Sequence, residues 1–572
     1  MAPRAGIILA LWFAAGTVRA ATMIDGIDGI DGDVLDNVRQ FIDEPDCAAG
    51  ATAVRRYIRD LPEDVRPALE AFGYYEPRLR ARRMADTAEC WSVELTIEPR
   101  QPVVVRDASV EVTGQAGDDA AVGALANDFP LPPGSTLNHG RYRDFKSRLA
   151  ALARERGYLD ARFTTERIDV YVDERAADIE LTFDSGPRYA FGAVTFATDA
   201  LRSDVLDSFV TFEPGQPYDA GSVADLQRTL TASEYFEQAR VVPEFDAADD
   251  GVIPIRVDAV PAEPTSSAIG VGFSTDDGPR FSYARENVRR NRAGHRYELD
   301  VLLAQVRQNA TLDYRIPIDN PQRDWWSLRA GAEREDIDAG VGSVARLGPH
   351  RVRVTGDRTV TRFVDLLVEH DQISGGTLDT RLVLPGLEWS RSYRDDLIRP
   401  REGYRLSYGV SLGVGDVELI QADFRGKWVT ATPWDGRVIL RGRAGVTLED
   451  DEFDRVPLSL RFFSGGDNSV RGYDYETLGP RNAAGDLIGG NRVFEASVEY
   501  EHPVTQSWSV ATFVDAGNAF LRSDFDRRTG AGIGARWFTP IGPVRLDIAW
   551  PIDTAPGEDD GPRLHLSLGP DL

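Results

Sequence analysis

The residue with the most chemical promise is Arg471. It stands in the run Arg461-Phe462-Phe463-Ser464-Gly465-Gly466-Asp467-Asn468-Ser469-Val470-Arg471-Gly472-Tyr473. A glycine pair followed by Val470, Arg471, Gly472 and Tyr473 makes a poor strand and a good tight loop, with a cation beside a residue free to take positive φ. Folded into a polar interior, a guanidinium requires a carboxylate or an aromatic face. Downstream candidates are Asp515, with Phe513 on the same face of a strand pattern, and the strand bearing Glu495 and Glu499. This is the chemistry of a charge-assisted lock, not of bond cleavage. A hydrolase would need a Ser/His or Asp/His constellation, and His502 and His565 do not sit beside such a motif. Cys47 and Cys90 without nearby histidines offer too few zinc ligands. The aspartates of Ile24-Asp25-Gly26-Ile27-Asp28-Gly29-Ile30-Asp31-Gly32 recur at the wrong spacing for an EF-hand and fit a strand running into a helix cap at Asp31 or Asp33. No cofactor and no metal is expected.

The elements around this loop alternate. From about Ser266, runs such as Ala310–Ile316, Leu406–Val414, Gln421–Trp428, Phe494–Tyr500 and Val544–Trp550 place apolar residues on one face and small or charged residues on the other. A soluble sandwich would point the apolar face inward, whereas a membrane barrel points it at lipid around a polar lumen. Dense charges on the polar face favour the barrel. So do tryptophans near strand ends (Trp325, Trp326, Trp389, Trp428, Trp434, Trp508, Trp537, Trp550), as an interfacial girdle requires. Roughly 307 residues at about 19 per strand and loop give about 16 antiparallel strands, each with room for a tilted crossing. The closing seam would lie between a first strand with Ile269, Val271 and Phe273 and a last one with Leu566 and Leu568. Gly270 and Gly272 either weaken that seam or relieve crowding at the lumen.

The first half repeats with a pitch of roughly 80 residues. A helix end, an aromatic turn and a strand recur at Leu69–Leu79 and Leu152–Phe163, and more weakly at Leu230–Val241, where Glu234 replaces the glycine suited to a left-handed helix cap. Closing strands recur at Val93–Glu98, Ile179–Asp184 and Ile253–Asp258. Each unit reads strand, helix, helix, strand, strand, and its sheet edges either receive an extended segment or pack on the next unit. Ahead of the repeats, Arg4 and the apolar run Ala5 to Val18 read as a secretory signal over residues 1–21. Export favours a disulfide between Cys47 and Cys90 over two buried thiols. The formal charge of −27 excludes the basic footprint of a nucleic-acid protein.

Together these features resemble the Omp85 family of outer-membrane barrels. The carriers are the Val-Arg-Gly-Tyr loop tip, the Gly-Tyr turns of POTRA-like units, and Phe513 with Asp515. The resemblance implies three periplasmic α+β POTRA domains (22–100, 101–186, 187–262) before an all-β transmembrane barrel (263–572). It implies that Asp515 and Phe513 hold the loop arginine. Three units and a Tyr-Tyr turn in the first look most like the translocation and assembly module outer-membrane subunit. That branch implies insertion of autotransporters and other outer-membrane client proteins, and contact with membrane lipids. It also implies an inner-membrane-anchored, AsmA-like periplasmic partner docked through the first POTRA domain. A two-partner secretion pore for a dedicated exoprotein and a passive porin are the alternatives.

Overall fold

The computed structural model describes residues 24–43, 50–84, 91–396, 399–450, 453–539, 542–554 and 560–568. The signal segment and both cysteines of the expected disulfide lie outside these residues. Two compact units divide the chain. One comprises Met1–Ala193, Phe212–Val223 and Pro243–Ile255, and the other Val194–Thr211, Ala224–Val242 and Arg256–Leu572.

The first unit contains two complete copies of the repeat. Strand Ile24–Asp28 leads through helices Gly32–Gln40 and Ala51–Glu70 to strands Arg78–Arg83 and Val93–Glu98. Asp31 occupies the N-cap of the first helix. The last strand is central, parallel to the first and antiparallel to the second. Val54, Leu61, Val65 and Leu69 form the helix stripe that buries Val93, Leu95 and Ile97. The second copy repeats this with strands Val104–Thr113, Arg162–Tyr171 and Ala176–Asp184. There Phe145 and Leu149 cover Ile179, Leu181 and Phe183. A third sheet of strands Ala190–Phe196, Phe236–Pro243 and Val252–Pro261 has the same order. The aromatic turns need a left-handed residue: Gly73 and Gly157 adopt φ of 88° and 89°, and Glu234 takes 64° despite its side chain. The weak third copy therefore keeps the turn and carries the backbone strain.

The second unit is dominated by one antiparallel sheet of 16 strands in sequential order, from Thr265–Ser274 to Arg563–Leu568. The period-two pattern decides which way each side chain points. Leu366, Val368, Phe424, Trp428, Val510, Val514, Ile533 and Ile548 are exposed, as a lipid-facing belt requires. Their neighbours Asp423, Arg425, Asp515, Arg536 and Asp547 take the other face. Trp325 departs from the expected girdle: it shares the inner face with buried Ser327, and the Arg315 guanidinium lies 5.8 Å from its ring centre. Among the described residues no helix is long and apolar enough to cross a membrane.

Candidate functional site

The connection between strands Arg437–Glu449 and Arg492–Pro503 builds the site. Its root is knotted by Arg461, buried, whose guanidinium donates to the carbonyls of Val456 (2.8 Å), Ile488 (3.0 Å) and Asp454 (3.0 Å). Val456 and Leu460 pack on inward Leu367, Leu382, Leu384 and Leu419, and the Leu458 amide donates to Asp371 (2.9 Å). Isolated bridges from Phe462 to Gly490 and from Ser464 to Leu478 fold the segment back on itself. These contacts aim residues 465–473 into the lumen.

At the tip, Arg471 is 2 % exposed. Its Nε and Nη2 donate to the two oxygens of Asp515 at 2.7 and 3.0 Å, and its backbone amide donates to the same carboxylate at 3.2 Å. Its Nη1 donates to Glu499 (2.8 Å) and Asp547 (3.0 Å). The Phe513 ring centre lies 3.3 Å from the guanidinium carbon. All four partners are inward residues of three strands, Arg492–Pro503, Trp508–Phe520 and Gly542–Pro551. Arg536 bridges the other oxygens of Glu499 (2.7 Å) and Asp547 (2.5 Å), and Arg441 reaches Asp515 at 3.6 Å. Two glycines make the approach possible. Gly472 takes φ of 98° and has no Cβ to meet the backbone of Trp550 and Pro551, while a Cβ on Gly530 would overlap the Arg471 carbonyl. Tyr473 finishes the tip by donating to the Asp553 carbonyl (2.7 Å), and Val470 is fully buried.

The structure thus brings Arg471, Asp515, Phe513 and Glu499 together. Sequence reasoning missed Asp547, Arg536 and Arg441, whose only signal was their place on the inward face of alternating strands. It also missed His565. The imidazole Nε2 accepts the Gly472 amide (2.9 Å) and Nδ1 lies 2.7 Å from Asp467, so His565 is the neutral Nδ1–H tautomer. Both ring nitrogens are engaged, which leaves none to activate a hydroxyl. Asp276, Asp467 and His565 keep one ligand atom each within 4.8 Å of one another, a spacing compatible with a cation. In this structure those atoms bond to one another and to the loop instead. Burial and the facing charge of Asp467 push Asp276, in the turn after the first barrel strand, up to about 8.

The seam residues flank an interrupted ladder. The first strand pairs along its full length with Gly278–Asn287, but the first and last strands are the two ends of the sheet order. Among the described residues no ladder joins the two, and the strands meet through Thr275 and Leu566. The Thr275 amide donates to the Leu566 carbonyl at 3.4 Å, and the Leu566 amide to the Thr275 hydroxyl at 3.0 Å. Ile269 and Val271 are 71 % and 84 % exposed, and Phe273 and Leu568 are also exposed. On the opposite face, Gly270 and Gly272 lie against the Ser282 and Arg280 side chains, so these glycines make room on the lumen side.

Known proteins share this plan. The outer membrane protein assembly factor BamA of Nitratidesulfovibrio vulgaris is 33% identical over 138 residues, 23% of this chain and 17% of that protein. Its namesake from Neorickettsia risticii is 21% identical over 479 residues, 77% of this chain and 62% of that protein. The chain therefore spans less than two thirds of the length of these curated relatives. The crystal structure of BamA from Haemophilus ducreyi lacking POTRA domains 1-3 has the same fold, with a TM-score of 0.67 at 16% identity over 81% of this chain and 99% of that one. Residues 26–99 match the POTRA domain described as TamA domain 1, and residues 291–571 match the Omp85 superfamily domain, so the chain carries an Omp85 superfamily domain behind a TamA-type POTRA domain.

Proposed function

We propose that this protein inserts or secretes autotransporters and other outer-membrane proteins as the outer-membrane subunit of a translocation and assembly module. The barrel lies in the outer membrane and the POTRA domains in the periplasm. The observation that carries the reading is a barrel whose first and last strands are joined by no ladder among the described residues, beside a loop locked into the lumen by Arg471. A client strand entering lipid needs its backbone groups paired, since each one left bare costs several kcal/mol. An exposed strand edge supplies those partners without bond chemistry, so we read the protein as non-enzymatic. Client strands add at the seam, and the barrel disturbs the lipid beside it. The TamA-type first domain supports an inner-membrane-anchored, AsmA-like partner at the periplasmic end.

A photoreactive residue at exposed Arg56 in the first domain tests this in cells. Tyr57 is a poorer position because it packs edge-on against Trp91. Capture of a large inner-membrane-anchored protein supports the module. Capture only of a secreted exoprotein makes the protein a two-partner secretion pore. A high, constant conductance with no captured protein makes it a porin.

A further inference from the structure

One loop carboxylate touches both ends of the barrel sheet. Asp467 Oδ1 accepts the Thr275 hydroxyl at 2.7 Å, immediately after the first strand, and lies 2.7 Å from His565 Nδ1 on the last strand. The Asp467 backbone amide donates to Asp276 at 3.0 Å, a second tie to the first turn. Thr275 is used twice: its proton goes to Asp467, and its oxygen accepts the Leu566 amide. On the last strand, His565 Nε2 accepts the Gly472 amide and Arg563 donates to the Gly472 carbonyl at 2.8 Å. Asp467 and His565 are both buried, so these bonds are shielded from water and salt.

We propose that Asp467 is a staple that makes loop docking and seam closure one event. The inference rests on the reading that the seam parts to admit clients. Its physical basis is the sharing of groups. The Thr275 hydroxyl can satisfy the Leu566 amide in a fixed orientation only while its proton has an acceptor in Asp467. His565 holds the loop tip through Gly472 only while its other nitrogen is oriented by the same carboxylate. Lifting the loop removes that acceptor from both strands at once. Parting the strands likewise strips Asp467 of one partner and loosens the loop's hold on the seam.

Hydrogen exchange on the full-length protein in lipid nanodiscs tests this, with Asp467→Ala, Thr275→Val and Thr275→Ser compared with the parent. Asp467→Ala and Thr275→Val are each expected to accelerate exchange about tenfold in residues 265–274, 563–568 and 462–473 together. Thr275→Ser keeps the hydroxyl and is expected to stay within about twofold of the parent. Unchanged exchange in residues 358–373 certifies a folded barrel. Acceleration in the loop alone, in one strand alone, or in none of the three segments overturns the staple. Client insertion by Asp467→Ala is measured alongside. Coupled exchange with normal insertion would keep the staple and refute the seam as the site of insertion. Uncoupled exchange refutes the staple whatever insertion does.

Discussion

Replacing Arg471 by alanine should undock the loop without unfolding the barrel. Arg441, Arg471 and Arg536 face Asp515, Glu499 and Asp547. Alanine takes one positive charge away from three buried carboxylates. Asp515 suffers most, because it loses both Arg471 side-chain bonds and keeps the bond from the residue 471 backbone amide at 3.2 Å, with Arg441 at 3.6 Å. Breaking a buried pair from one side costs about 3–5 kcal/mol. Taken entirely from loop docking, that shifts the docked-to-undocked ratio by roughly a hundredfold to a few thousandfold. Arg536 still bridges Glu499 and Asp547, and water can enter, so the lower end is expected. Arg471→Lys keeps the charge but loses the planar fork on Asp515, and should fall between parent and alanine. Chymotrypsin cleavage after Tyr473, buried when docked, reads the open population provided reclosing outpaces cleavage. Heat-modifiable migration on a gel certifies the barrel. Cleavage of Arg471→Ala within about twofold of the parent, with the barrel intact, would refute the claim that this guanidinium holds the loop.

Gly530→Ala should release the loop with Arg471 still present, because its Cβ overlaps the Arg471 carbonyl; overpacking of this kind costs about 1–3 kcal/mol, and the same protease reads it. In the periplasmic unit, the Tyr75 hydroxyl lies 2.6 Å from His139 Nε2, and burial, helped by Arg143, holds His139 below its ordinary 6.5. A lowered value means the folded state prefers the neutral ring, so the stability it contributes is present above 6.5 and is lost as the pH falls below it. Amide exchange in residues 71–75 and 136–142, taken relative to the intrinsic rate at each pH, should therefore rise as the pH falls from about 7.5 to about 5.5, and His139→Gln should flatten that rise. A pH-independent parent would refute it. Tyr235→Phe removes the bond from the Tyr235 hydroxyl to the Gly294 carbonyl (2.6 Å) and leaves a buried acceptor bare. A loss of about 1–3 kcal/mol, seen as faster exchange at residues 289–296, is expected.

Much of the barrel and part of the site were legible in the sequence because a strand has period two. Alternation told which residues of Phe513–Asp515 and Glu495–Glu499 share a face, and a lone cation in a glycine-rich loop told what those faces must supply. What alternation does not contain is which strands meet the loop tip. Asp547 is written in the same inward pattern as Asp423, yet only Asp547 touches Arg471, because loop length and sheet curvature choose the strands. His565 was unreadable for the same reason. Its partners Asp467 and Gly472 are nearly a hundred residues away, and no local spacing marks them. Glu234 failed as a turn signal for another reason: it adopts φ of 64° although its intrinsic preference is against it.

The distribution of pairing along the sheet explains why a loop is needed at the seam. In the middle, Arg358–Ile373 pairs through all 16 of its residues with Gly376–Arg394. At the end, the described residues of the last strand are the 6 of Arg563–Leu568, and among the described residues only its Val544–Ala549 side is laddered. A ladder resists parting in proportion to the bonds it must give up, so any separation starts at the short strand. Lengthening that strand would close the seam with backbone bonds insensitive to anything in the lumen. The chain instead holds it with side chains, Thr275, Asp467 and His565, one of which belongs to a loop whose position is set by Arg471. Side-chain bonds to one carboxylate can all be lost at once, while a ladder unzips residue by residue. A seam built this way is stable when the loop is in and weak when it is out, and that difference is what a barrel opening laterally to a client requires.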